Sequence, residues 1–306
     1  MSKMSFDGLT RFALNGATMG TRWSTLFWAP APVDGLQEAL QAAVDRVDAQ
    51  MSLWKPDSDL CRLNDAPTDV WVDLAPEITT VLDRALQIGR ASGGAFEIAV
   101  GEAVAAWGFG PRPADQEAIR RMLTTPDHPR ATDLLELDIP NRRAMKHAPA
   151  RFDLNGIAKG YGADRLIETA ALHGVADALS GLDGDLRAAG TRPDGSPWPI
   201  AIEEPDYDRR AAYTMLELED LAVATSGDYR HWIKVGGQRL SHTMHPRTGG
   251  PLQQSPASVT VVAADCMTAD AWATALMVLG KTEGTLLAKA NNIQAMFLER
   301  EAPIPA

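Results

Sequence analysis

SVTVVAADCMTADAWATALMVLG, Ser258 to Gly280, is the stretch around which the chain is organised. The β-branched run Val259 to Val262 reads as a strand. Met267 to Leu279, rich in Ala, Met and Leu with apolar residues at helical spacing, reads as the helix that follows it. Thr268 is the expected N-cap and Gly280 the expected stop. On such a helix Asp270 falls in the first turn, and Thr274, four residues on, shares its face. A carboxylate and a hydroxyl so placed are both oxygen ligands suited to a hard cation such as Mg2+. Two plainer readings stay open beside that one. An Asp in a first turn complements the helix dipole, and a Thr hydroxyl can bond back to a carbonyl of its own helix.

Upstream, FDLNGIAKGYGADRL (Phe152 to Leu166) sets Asp153, expected exposed or facing a metal, before an Asn155-Gly156 turn and a helix from about Ile157 to His173. Carboxylate, glycine turn and helix start in that order present backbone N–H groups to an anion. The stretch is neither a Walker sequence nor a GxGxxG fingerprint. Lys159, near the helix start, calls for an anionic partner. Val175 to Leu179 with GLDGDLRAAG reads as strand and turn, Pro197 to Pro205 as a short strand, and Tyr213 to Ala224 as another that runs into ATSGDYR, a tight polar turn. A hairpin about Gly236-Gly237 and a turn at Pro246 to Gly249 bracket His242 and His245. A histidine at a strand end is usually structural or solvated, yet it is also the side chain suited to proton transfer near neutral pH.

Nearer the N-terminus, Thr10 to Leu14 and Thr18 to Phe27 read as strands around an Asn15-Gly16 turn, with Gly20 marking a bulge in mid-strand. Gly35 to Met51 is an amphipathic helix with Leu36, Leu40, Ala43, Val44 and Val47 on one face. Lys55 to Ser58 is turn chemistry, so Trp54 beside it is either a platform for a flat ring or the cap of a core. Pro76 to Ser92 is a further helix stopped by Gly93-Gly94, with AFEIAVG after it as strand or loop. Pro111 to Pro149 reads as a surface excursion with a short polar helix (Ala114 to Leu123) and a hairpin around Asn141.

Strands and helices mix without regular alternation, which points to an α+β fold. The 306 residues suffice for a large core, and one domain over 1–306 is expected, with 301–306 a loose tail. A formal charge of -11 with no cluster of Lys and Arg argues against general nucleic-acid affinity. Cys61 and Cys266 lie in no metal or disulfide pattern and are expected to be buried. No apolar run reaches the length of a membrane span. The N-terminal MSKMSFDGLTRFALNG lacks a signal peptide's apolar core, so a cytoplasmic location is expected, or a periplasmic one for a trimmed mature form.

MGTRW, MSLWKPDSDLCRLN, GGAFEIAVG, DLNGIAKGYGAD, ATSGDYR, SHTMHPRTG and TADAWATAL follow one another from Met19 to the Asp270 helix. In that order and spacing they resemble the ApbE family, the FAD:protein FMN transferases. The resemblance implies mixed, largely antiparallel sheets with packed helices. It implies a divalent cation, Mg2+ or Mn2+, held by Asp270, Thr274 and the Gly156 carbonyl. FAD is the implied substrate, its FMN half passing to a threonine hydroxyl of an acceptor protein, unidentified and of membrane or redox type, with release of AMP. Flavin contacts are implied at Met19, Trp54, Ala95, Phe96, Glu97, Asp153, Lys159, His242 and Thr243, with Ser226 and Asp228 near the same cleft. His242 is the candidate base for the threonine proton. The chain departs from the family pattern at several points. His245 stands where an acid is usual, Glu97 where Asp is common, Asp183 interrupts a Gly-Gly pair, and Asn155 replaces a small residue. Hydrolysis of FAD to FMN and AMP, or storage of FAD without chemistry, would use the same pocket.

Overall fold

The structure, a computed structural model, describes residues 5–6, 8–125, 128–205, 211–228, 232–235, 238–253 and 255–299. It begins with β1 (Ser5–Phe6), β2 (Leu9–Thr18) and β3 (Thr21–Ala29). These are followed by α1 (Leu36–Met51), α2 (Asp59–Asp65), β4 (Trp71–Asp73), α3 (Pro76–Ala91), α4 (Gly101–Ala106), α5 (Gln116–Thr124) and α6 (Ala131–Leu134). The hairpin β5 (Leu135–Asp138) and β6 (Arg143–Lys146) leads to α7 (Ala158–Leu172). Then come β7 (Ala178–Leu182), β8 (Asp185–Ala189), β9 (Trp198–Glu203), β10 (Ala212–Leu218), β11 (Ala222–Gly227), β12 (Trp232–Val235) and β13 (Gln238–Ser241). β14 (Ser258–Ala263), α8 (Cys266–Ala290) and β15 (Gln294–Leu298) complete the described chain.

One eight-stranded sheet, ordered β1-β2-β3-β7-β8-β11-β14-β15, carries the fold. Every neighbouring pair in it is antiparallel. The fold is therefore α+β with antiparallel sheets and packed helices, as expected. Side chains alternate across the sheet because the strand period is two. On β3, Trp23 and Phe27 join Leu36, Leu40 and Val44 of α1 and Leu166 and Ala170 of α7 in one core, while Leu26 and Trp28 face the opposite side. There the ribbon of β9 and β10 closes over them with Trp198, Ile200 and Ile202. α8 packs beside α7 on the first face, and its Ala271, Ala275 and Leu276 enter the largest core with Ile78 and Leu82 of α3. Both cysteines are buried and unpaired. No helix among the described residues is long and apolar enough to cross a membrane.

Several local expectations are revised. The first hairpin turns at Met19-Gly20, where both residues have positive φ (47° and 71°) and Thr18 pairs with Thr21, as in a two-residue turn of the type that matches strand twist. Gly16 lies inside β2 instead. A Cβ there would fall 2.6 Å from Trp23 Nε1, so the glycine makes room for that buried indole. Tyr213 to Ala224 is two strands in two different sheets, and Thr225 to Gly227 end β11 rather than forming a turn. A short helix, α2, follows the Lys55–Ser58 turn with Ser58 as its N-cap. The hairpin about Gly236-Gly237 has its two strands, but its turn lies outside the described residues, as do Tyr229 and Arg230 of ATSGDYR and the 301–306 tail.

Candidate active site

The turns β2–β3 and β7–β8, the end of β11 and the start of α7 lie at one end of the sheet, against the first half of α8. α7 and α8 cap each other there. The first N–H groups of a helix have no partner within it. Asp164 of α7 accepts from Cys266 N at 2.8 Å and Met267 N at 2.9 Å, while Asp265 accepts from Thr268 N at 2.7 Å. Asp265, not Thr268, is therefore the N-cap of α8, and Asp270 sits in its second turn. Gly280 (φ 73°, ψ 178°) stops the first helical segment as expected, and a second segment resumes after it. In return, Asp270 Oδ2 accepts from Gly160 N at 3.0 Å, in the first turn of α7. Gly160 makes this approach possible, since a Cβ there would lie 2.3 Å from the Cys266 carbonyl oxygen.

Around Asp270 the polar groups converge. Thr274 Oγ1 is 3.2 Å from Ser226 Oγ, and a Cβ on Gly156 would lie 2.9 Å from the same hydroxyl, so the Asn155-Gly156 turn sits against Thr274. Phe96 also touches that turn, its Cε2 3.4 Å from the same Cβ position. Lys159 Nζ donates to Asp183 Oδ2 at 3.1 Å, and Thr21 Oγ1 donates to Asp183 Oδ1 at 2.9 Å. Met19 packs from the β2–β3 turn toward Gly162.

Charge at this point is unbalanced. Burial pushes the Asp270 carboxyl up to about 6 against the opposing pull of Lys159 and the Gly160 N–H. Asp185 is raised well above the usual carboxylate range by burial and then by Asp270. Burial works against the Lys159 ammonium, but Asp185, Asp270 and Asp183 together outweigh it and raise it. One lysine thus faces three acids, two of them buried, and a cation would relieve the excess. Among the described residues no three His, Cys, Asp or Glu side chains form a metal-binding group. The oxygen set at Asp270 is of another kind, one carboxylate with a threonine hydroxyl and a close backbone turn, and it suits a hard cation that retains water.

The other expected residues have different surroundings. Asp153 is buried rather than exposed, accepts from Asn155 N and Nδ2, and is raised by burial. Glu97 Oε1 is occupied by the N–H groups of Ala99 and Ala131, and its carboxyl is raised by burial. Ala95 is buried beside Phe96. Trp54 is 67% exposed at the turn after α1, so it does not cap a core. His242 is exposed, and Thr243 is fixed by its N–H to Ser241 Oγ and its carbonyl from Leu252 N. The turn beyond them rests on α4 through Met244 and the bond from Trp107 Nε1 to the Gly249 carbonyl. His245 is lowered by burial and by Arg247. Asp228 is buried and accepts from Ser255 Oγ. Asp164 and Asp185 carried no expected role. Their signal was the acid at the end of GYGAD and the pair of acids astride the glycine in GLDGD.

The model of the ApbE family matches residues 19–297. A Vibrio cholerae protein named FAD:protein FMN transferase is 35% identical over 296 residues, covering 93% of this chain and 86% of the relative. The solved flavin transferase ApbE from Vibrio cholerae superposes with a TM-score of 0.82 at 32% identity, covering 94% of this chain and 93% of that one. The apo form of the Pseudomonas stutzeri flavinyl transferase ApbE gives 0.84 at 33% identity, covering 98% and 94%.

Proposed function

The chain belongs to the ApbE family, and on that premise we propose that it is an FAD:protein FMN transferase, moving the FMN half of FAD onto a threonine hydroxyl of an acceptor protein with release of AMP. The observation that carries the reading is the convergence of Asp270, Thr274 and the Gly156 turn beside a buried excess of carboxylate around Lys159. Asp270, Thr274 and the Gly156 carbonyl are the groups that would hold Mg2+, with Mn2+ as the alternative. Such an ion supplies neutralisation of the pyrophosphate oxygens of FAD.

The chain's own residues do the rest. Lys159 meets the phosphates, Phe96 walls the Gly156 turn, and Trp54 offers an exposed ring face on which an isoalloxazine can stack. In the transfer, the threonine oxygen forms a bond to the FMN-side phosphorus and the bond to the AMP oxygen breaks. AMP leaves with that electron pair. His242 takes the hydroxyl proton, a task for which a neutral imidazole serves at physiological pH. Asp270 is a poorer base, since it already accepts from Gly160 N and would be a ligand of the cation.

The test is direct. The protein is incubated with FAD, Mg2+ and a threonine-bearing acceptor peptide, and products are read by mass spectrometry. An FMN-sized adduct with AMP, both abolished by EDTA, is the expected result. AMP and FMN without adduct would replace transfer by hydrolysis, and binding of FAD with neither product would leave a carrier.

A further inference from the structure

The β7–β8 turn carries an acid that its own turn does not need. Asp183 and Gly184 form a two-residue connection with positive φ at both positions (55° and 99°), and Leu182 pairs with Asp185 across it. Asp and Asn tolerate that backbone and commonly use the side chain to bond their own turn. Here Oδ1 accepts from Thr21 at the start of β3 and Oδ2 from Lys159 on α7. The carboxylate therefore joins three separate elements of the site.

Its position along the burial gradient gives this a consequence. Asp185 and Asp270 are 4% and 5% exposed, whereas the side chains of Lys159 and Asp183 are 31% and 25% exposed. The ion pair thus stands between solvent and the buried acids. An ammonium without Asp183 would be drawn inward, because Asp185 and Asp270 also act on its charge. There it would compete with a cation for Asp270. With Asp183 in place, Lys159 stays at the rim, where an arriving phosphate finds it already paired.

Resting on the flavin-transferase reading above, we propose that Asp183 is a positioning residue that serves as a stand-in anion: it keeps Lys159 off Asp270 until the substrate's phosphate takes the lysine over. The arrangement favours the cation and opposes the anion in the substrate-free protein. Removing the acid should then move two affinities in opposite directions, whereas a merely structural acid would weaken both.

The experiment uses the full chain with Asp183→Asn, which keeps the left-handed turn and the Thr21 acceptor, and Asp183→Gly, which keeps only the turn. Mn2+ binding without FAD is measured by electron paramagnetic resonance. FAD binding in EDTA is measured by flavin fluorescence. For both variants the Mn2+ dissociation constant should rise and the FAD constant should fall, each by roughly twofold to fivefold, the upper part of the range for a partly exposed ion pair. In a Lys159→Gln background the gain in FAD affinity on Asp183→Asn should vanish. Weakening of both ligands, or no change in either, would overturn the inference while leaving the flavin reading intact. A wild-type chain that bound neither probe would overturn the flavin reading, and this inference with it.

Discussion

Gly160→Ala is the perturbation that tests whether α7 and α8 build the site together. The added methyl would meet the Cys266 carbonyl oxygen at 2.3 Å, its carbon at 2.7 Å and Asp270 Cβ at 2.8 Å. Two of these are backbone atoms, so no rotamer change relieves them, and the helices must part by about 1 Å to regain ordinary contact. Overpacking of this kind costs about 1–3 kcal/mol. Parting the helices also stretches the bond from Gly160 N to Asp270, and a hydrogen bond to a charged group is worth about 1.5–3 kcal/mol. Ala gains about 1 kcal/mol over Gly in helix propensity, which leaves a net loss of about 3 kcal/mol. Differential scanning fluorimetry should therefore record a fall in Tm of about 5 °C for a chain of this size, with a smaller rise on adding Mg2+. Gly162→Ala is the control on the same helix. Its methyl would meet Leu182 Cδ1 at 2.9 Å and Met19 Cε at 3.6 Å, both ends of side chains that can shift, so Tm should stay within about 1 °C of wild type. A Gly160→Ala protein with wild-type Tm and wild-type Mg2+ response would refute the close-packed, mutually capped arrangement. So would a Gly162→Ala protein that suffered equally.

Three further outcomes follow from the site. With Asp270 held at about 6 against an ordinary value near 4, the folded chain keeps a proton that the unfolded chain releases. Its contribution to folding, about 3 kcal/mol, is complete below the unfolded value and is lost as pH rises through about 6. Cation-free Tm measured from pH 4.5 to 7.5 should fall less steeply in Asp270→Asn, and the Mg2+-induced rise in Tm should disappear in that variant; an unchanged slope with a persistent Mg2+ response would remove Asp270 from the centre of the site. His242→Ala should lower transfer by about 100-fold or more while retaining FAD binding, and full activity across pH would reject it as the base. Trp54→Ala should weaken FAD binding about tenfold through lost stacking, with no change in Tm because the indole is 67% exposed; an unaltered FAD constant would put the flavin ring elsewhere.

How far the site was legible depended on distance along the chain. Asp270 and Thr274 are four residues apart on one helix, so the helical period alone set them on one face, and the N-cap error of a few residues moved them along the axis without rotating them apart. The first hairpin was read at Asn15-Gly16 because that dipeptide is a strong local turn signal. What defeated it was non-local. Trp23 needs the space beside Gly16, and Phe12 and Phe27 stack at 5.4 Å across the same pair of strands, which holds the register that turns at Met19-Gly20. The capping acids lay further still beyond local reading. Asp164 bonds a helix start 102 residues away, and Asp270 bonds one 110 residues away. No periodicity records such a pairing, and each acid on its own reads as an ordinary polar residue of a helix. Yet these two pairings tie the starts of α7 and α8 together at the site. A cation placed at Asp270 would draw on the carboxylate that also caps α7, so occupancy of the site and docking of the two helices are one equilibrium. Ligand binding that favours only the docked form must then stabilise the whole chain, and the Mg2+-dependent rise in Tm should shrink in Asp164→Asn even though Asp164 belongs to no ligand set.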